Sequence, residues 1–420
     1  MKHTDKAKTC CDDYDPSSLN MDIALQRIEQ AISPITAYEC CNLRAALDRV
    51  LAQIVVSPIN VPSHTNSAMD GYAIRGADIP DSGETVLEVV ATIMAGKPTP
   101  LSIKSGQCAR IMTGGKMPEH ADTVIMQEHV TRTHDRITLS ADHKTGQNVR
   151  QAGEDLAIGD VVLQPGRRLT SADIGMMASL GMAEVKVYRR PRVAFFSTGD
   201  ELRGIGEILG EGQIYDSNRY TLHSMLSRFD ADIIDMGVIP DEQDAIRNAL
   251  QQAASQADVL ITSGGVSVGE ADYVKALLND VGNVDFWKIA MKPGRPLAFG
   301  NIQRCHFFGL PGNPVSAMIT FYQLVLPALK KLSGQQFVQP LTIEVRCTTD
   351  LKKRQGRVEF QRGILETNAK GELTVSSSGE QGSGILSSMS KANCFIILPM
   401  ECGNVAADTF VKVQPFAGLI

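Results

Sequence analysis

Three segments of the chain have the residue types for anion chemistry. They are Ser197-Thr198-Gly199-Asp200-Glu201, Ser263-Gly264-Gly265-Val266-Ser267-Val268-Gly269-Glu270 and Leu310-Pro311-Gly312-Asn313-Pro314, each following a short apolar run. Glycines let the backbone approach a ligand closely, and a helix N-terminus offers N–H groups to an anion. One such loop is common turn chemistry, whereas three at one sheet edge point to a site. A compact basic element joins them: Lys288, then Lys292-Pro293-Gly294-Arg295-Pro296. Prolines stiffen this turn and hold two cations close, a good cradle for a dianion or phosphate, although a solvated charged turn has the same composition. The carboxylates Glu201, Asp241, Glu270 and Asp272 fall at or just past expected strand ends. Acids beside bases suggest Mg²⁺ held by carboxylates and an anion held by lysines. Asp241 reads equally as the N-cap of a helix. There is no G-x-x-x-x-G-K-[ST] or G-x-G-x-x-G, so P-loop and dinucleotide readings lose support. Asp70, within Asn66–Ala73, and Thr113, within Arg110–Gly115, sit in segments that turn chemistry alone could explain.

The elements that must position these groups follow from periodicity. Alternating runs between Gly, Pro, Asp and Asn clusters over 57–160 predict a small all-β module. A helix is expected from Ser18 to Ile32, capped by Ser18 or Asn20 and stopped by Pro34, and a second over Glu39–Ala46. From Arg192 the rhythm becomes strand–helix alternation: strands at Arg192–Ser197, Asp232–Val238, Val259–Thr262, Val284–Met291 and Cys305–Gly309. Helices fall at Asp216–Phe229, Asp241–Ala254, Ala271–Leu278 and Pro314–Leu332. That alternation implies a doubly wound, mostly parallel sheet, whose ligands bind beyond the carboxyl ends of its strands. From Pro340 five alternating runs predict a small β-barrel or sandwich. The fold class is α/β multi-domain: a doubly wound sheet domain, two small β modules and an α/β linker region.

Composition narrows the function. The 420 residues exceed one domain at roughly 100–200 residues each. Lys+Arg 41 against Asp+Glu 47 gives −6, which argues against nucleic-acid and membrane-surface partners. The N-terminus lacks a signal-peptide stretch, and the nine cysteines form no C-x-x-C pair, so a reducing cytoplasm fits best. The eight histidines show no zinc spacing.

Seven motifs occur in order: Asn66–Ala73, Ile111–Gly114, Gly153–Asp155, Ser197–Glu201, Ser263–Tyr273, Lys292–Pro296 and Gly309–Ser316. In these the chain resembles the bacterial MoeA family, which shares this unit with gephyrin-type proteins. The resemblance implies a homodimer of about four domains per chain. They would be 18–37 with 191–338 (molybdopterin-binding), 38–56 with 160–190 (linker), 57–159 (β module) and 339–420 (C-terminal barrel), with 1–17 a disordered leader. It implies transfer of molybdate into adenylated molybdopterin with release of AMP, dependent on Mg²⁺, in the cytoplasm. Glu201, Asp241 and Asp272 would handle metal and adenylate, and Ser263, Gly264 and Gly265 the phosphate. Lys288, Lys292, Arg295, Pro296, Ser316, Arg362 and Ser383 would lie around the substrates, with Arg295 standing where many relatives have lysine. Asp70, Thr113 and Asp155 match catalytic motifs of the first β module, and Asp70 and Thr113 would close the other subunit's site. A non-enzymatic scaffold and a nucleotide-phosphate hydrolase are the alternatives.

Overall fold

The computed structural model describes residues 17–264, 277, 278, 280–336 and 338–416. The chain divides into two compact units, residues 40–187 and residues 1–39 with 188–420. The leader and most of the expected Ala271–Leu278 helix lie outside the described residues.

The larger unit is built on a six-stranded sheet in the order Asp232–Ile239, Arg192–Thr198, Val259–Ser263, Cys305–Leu310, Pro296–Ile302, Asn283–Lys288. The first four strands are parallel, and Pro296–Ile302 pairs antiparallel with both of its neighbours, Cys305–Leu310 and Asn283–Lys288. The central strands are apolar on both faces because helices cover both. Val193, Phe195, Val259 and Ile261 pack with helices Met21–Ala31, Ser217–Phe229 and the long helix from Pro314. The alternate residues Ala194, Phe196 and Leu260 pack under helix Gln243–Gln256. Pro296–Ile302 is a strand that periodicity did not single out, and the expected Val284–Met291 strand ends at Lys288.

Local chemistry explains the helix ends. The Asn20 side chain accepts from the Asp22 and Ile23 amides at 2.7 and 3.4 Å, starting the first helix. The long helix runs from Pro314 to Leu332 and widens to π geometry over Phe321–Val325. Pro327, just beyond, has no N–H for the carbonyl four residues back. Asp241 is not the N-cap of its helix: Glu242 occupies that position without a side-chain capping bond, and the helix starts one residue later than Asp241 capping requires.

The C-terminal strands close into a five-stranded barrel. Val358–Thr367 pairs with Leu373–Ser377 on one side and Cys394–Leu398 on the other, and Ile343–Cys347 and Phe410–Pro415 complete the ring. Met291–Lys292 leaves the α/β region and adds to this barrel, parallel to Val358–Glu359. A short helix, Leu386–Lys391, interrupts the strand pattern.

In the unit of residues 40–187, a six-stranded sheet runs Thr123–Met126, Gly71–Ile74, Gln107–Ile111, Glu84–Ile93, Arg136–Ser140, Thr131–Thr133. A separate core gathers Leu43, Leu51, Val55, Leu163, Leu169, Met177 and Val187. The expected Glu39–Ala46 helix is instead strand Tyr38–Asn42 followed by a 3-10 turn at Leu43–Ala45. Pairing with Glu184–Tyr188 overrides the local spacing, and the Asn42 side chain caps the turn by accepting from the Arg44 amide at 3.0 Å. Among the described residues every cysteine is a free thiol, and no helix is long and apolar enough to cross a membrane.

Candidate functional site

The three glycine-rich loops leave the sheet side by side, because Ser197 is in register with Ser263 and Ser263 with Leu310. Two close approaches stitch them together. The Gly264 amide donates to Leu310 O at 3.2 Å. A β-carbon at Gly264, where φ is +92°, would stand 2.6 Å from Thr198 O. Asn218, buried on the first turn of its helix, donates from Nδ2 to Ser263 Oγ at 2.8 Å and to Gly312 O at 2.7 Å. Sequence reasoning missed Asn218, since nothing local distinguishes it from a helix-start asparagine. Four buried oxygens at this edge, Ser197 Oγ, Thr198 Oγ1, Asp216 Oδ2 and Asn218 Oδ1, have no hydrogen-bond partner among the described residues. Each such atom costs about 1–3 kcal/mol when left unpaired, so the edge is suited to a polar ligand. Gly265, Glu270 and Asp272 lie outside the described residues.

Glu201 and Asp241 follow adjacent strands, which pair as far as Thr198 and Ile239. The Glu201 carboxylate folds back over Gly199, where a β-carbon would be 2.6 Å from Oε2. Two carboxylates from neighbouring strand ends are suitable donors for a hard divalent cation. Among the described residues, however, no three His, Cys, Asp or Glu side chains converge.

The basic turn packs on the long helix. A β-carbon at Gly294, where φ is +101°, would be 2.6 Å from Thr320 Oγ1 and 3.5 Å from Ser316 O. Lys288 pairs with Pro296, and the Ile289 amide donates to Arg295 O at 2.7 Å, which closes the turn. Lys292 Nζ lies 3.4 Å from Oε1 of Glu359, a barrel residue absent from the sequence-based expectations. The barrel also supplies Ser383, whose carbonyl accepts from the Val315 amide at 3.1 Å beside the buried Ser316.

Arg362 reaches this region through that same loop. It is buried, donating from Nη2 to Glu380 O at 3.3 Å and Gly382 O at 3.0 Å, and from Nε to Ser388 Oγ at 3.0 Å. Gln381 locks the backbone: its Oε1 accepts from the Arg362 amide at 2.8 Å and its Nε2 donates to Arg362 O at 3.0 Å. Burial pushes the guanidinium down to about 10. These contacts make Arg362 the support of the loop that presents Ser383.

In the other unit, Asp70 Oδ1 accepts from both the amide and the hydroxyl of Thr113, each at 2.7 Å. These two bonds, with Arg110 nearby, hold the carboxyl below its ordinary range. A depressed pKa keeps Asp70 ionised until the pH falls through that lowered value. Thr113→Val removes the hydroxyl donor and should move the Asp70 titration upward in carbon-detected NMR; an unmoved midpoint would contradict its contribution. Asp155 is exposed, and its amide donates to Val61 O at 3.1 Å.

Comparison with known proteins agrees with this layout. The chain matches the MoeA N-terminal region (domain I and II) over residues 19–181 and the probable molybdopterin binding domain over 194–331. It matches the MoeA C-terminal region (domain IV) over 344–416. The molybdopterin molybdenumtransferase of Haemophilus influenzae is 48% identical, over 96% of this chain and 100% of that protein. The molybdopterin molybdenumtransferase of Nostoc is 37% identical, over 89% and 86%. The crystal structure of the molybdopterin biosynthesis MoeA protein of Pyrococcus horikoshii superposes with a TM-score of 0.84 at 30% identity, over 95% of this chain and 100% of that one. The chain therefore belongs to the molybdopterin molybdenumtransferase family, a family of transferases, and acts in molybdenum cofactor biosynthesis.

Proposed function

We propose that the protein transfers molybdate into adenylated molybdopterin, giving molybdenum cofactor and AMP. The observation that supports this best is the joining of three strand-end loops by Asn218 and Gly264, with a two-cation turn packed on the helix that follows the third loop. Ser263 and Gly264 would line the phosphate side, with the buried oxygens of Ser197, Thr198 and Asp216 facing polar ligand atoms. Lys292 and Arg295 would hold molybdate close to the dithiolene sulfurs, with Ser316 and Ser383 shaping the wall. Fixing two reactants in one frame replaces a bimolecular encounter by a positioned one, which can lower a barrier by about 7–11 kcal/mol.

Glu201 and Asp241, with Asp272 outside the described residues, would hold Mg²⁺, which would supply positive charge beside the phosphates. Asp241→Ala should raise the Mg²⁺ concentration for half-maximal AMP release by roughly tenfold; an unchanged requirement would remove Asp241 from the metal set. In the proposed homodimer, the exposed Asp70 carboxylate that Thr113 fixes completes the partner subunit's site. Chromatography of nucleotides after incubation with adenylated molybdopterin tests the reaction class: AMP whose formation rises with molybdate supports transfer. Release of inorganic phosphate in place of AMP would favour a nucleotide hydrolase.

A further inference from the structure

Glu359 holds the one described carboxylate that the structure pairs with Lys292. It comes from the barrel, 67 residues away in the chain, and is 3% exposed. Both of its oxygens are engaged: Oε1 with Lys292 Nζ at 3.4 Å, and Oε2 as acceptor from Gln361 Nε2 at 3.0 Å. Gln361 is itself anchored by donating to Lys352 O at 2.9 Å. The backbones are tied too, with Met291–Lys292 parallel to Val358–Glu359 and the Val358 amide donating to Ala290 O at 2.9 Å. The carboxylate is therefore fixed relative to the basic turn before any ligand arrives.

The ion pair is not closed. Its 3.4 Å separation is longer than the roughly 2.7–2.9 Å of a saturated charge-assisted bond. The Lys292 side chain is 43% exposed while that of Glu359 is 4% exposed, so the ammonium faces outward and the carboxylate lies behind it. An ammonium has three donors, and Glu359 takes one direction only. The negative charge directs Lys292 and at the same time offsets part of its attraction for a tetrahedral dianion.

We infer that Glu359 is a positioning residue that holds the Lys292 ammonium and lowers the affinity of the basic turn for an oxyanion, so that molybdate is captured weakly enough to be passed on. This rests on the reading of Lys292 as a molybdate-binding residue. The arrangement predicts an effect opposite in sign to that of losing a binding contact: removing the Glu359 charge tightens the site.

Molybdate titration calorimetry on the full-length protein tests this. Glu359→Gln, nearly the same shape without the charge, should lower the Kd for molybdate about three- to tenfold, a modest gain because the lysine is partly solvated. The KM for molybdate should fall in step. In a Lys292→Gln background the same change should give a clearly smaller gain, because only the direct repulsion between Glu359 and the dianion is then relieved. Glu359→Asp, which keeps the charge but withdraws it by one methylene, should give a smaller gain in the same direction, and it carries the test if the glutamine variant does not fold. Unchanged or weaker molybdate binding in a folded Glu359 variant, with Lys292→Gln weakening it, would overturn the inference alone. Unchanged binding in folded Lys292→Gln would instead overturn the assignment of Lys292 and the inference with it.

Discussion

Lys292→Glu is expected to weaken molybdate binding by at least about 100-fold and to abolish molybdate-dependent turnover, while the protein remains folded. The reversal does more than remove one cation. It sets a second carboxylate against Glu359, which is buried 3.4 Å from the present ammonium and cannot turn away, since Gln361 holds its other oxygen. Two like charges at that distance repel, and both repel a dianion. Water can solvate the new carboxylate, since the Lys292 side chain is 43% exposed, but the buried Glu359 loses its cation, so the stability cost should be about 3–5 kcal/mol. Calorimetry for binding and a denaturant midpoint for stability separate the two effects. Normal molybdate affinity in the folded variant would contradict the assignment of the basic turn.

Gly264→Ala is expected to cost about 2–4 kcal/mol of stability and to reduce turnover at least 100-fold where the protein is still folded. The positive φ of +92° strains any L side chain by about 1–2 kcal/mol. The new β-carbon would also stand 2.6 Å from Thr198 O, a backbone atom that can yield only if the strand ends part. Parting them shifts Ser263 and the two bonds from Asn218 that tie the second loop to the third. A displacement of about 1 Å in a positioned site can cost 100-fold in rate. Wild-type midpoint and wild-type turnover in this variant would show that the close approach of the loops is unimportant.

Local pattern reveals the four parallel strands of the α/β region, the helices Ser217–Phe229 and Gln243–Gln256 and the long helix from Pro314, but not the strand Pro296–Ile302. The runs 193–196 and 259–261 are apolar throughout because both faces are buried, with Val193, Phe195 and Ile261 meeting one helix layer and Ala194, Phe196 and Leu260 the other. What local pattern could not show depends on distant partners. Asn218 matters through contacts 45 and 94 residues away, and Glu359 through one 67 residues away. Tyr38–Asn42 has helix-like spacing and becomes a strand because Glu184–Tyr188 is there to pair with it. Barrel closure likewise needs the return of Cys394–Leu398 to Val358–Thr367, and no single strand encodes that return. Arg362 resembles a surface cation in sequence; its burial follows from three acceptors on the 380–388 segment.

The central claim is that one site joins molybdate to an adenylated pterin. The most direct measurement is AMP released from purified adenylated molybdopterin by the protein with Mg²⁺ present, with and without molybdate, with the product assayed for activation of a cofactor-free molybdoenzyme. The expected result is AMP release that rises with molybdate and parallels the activation obtained. With folded protein and intact substrate, no AMP under either condition, or AMP without any activating product, would contradict the account.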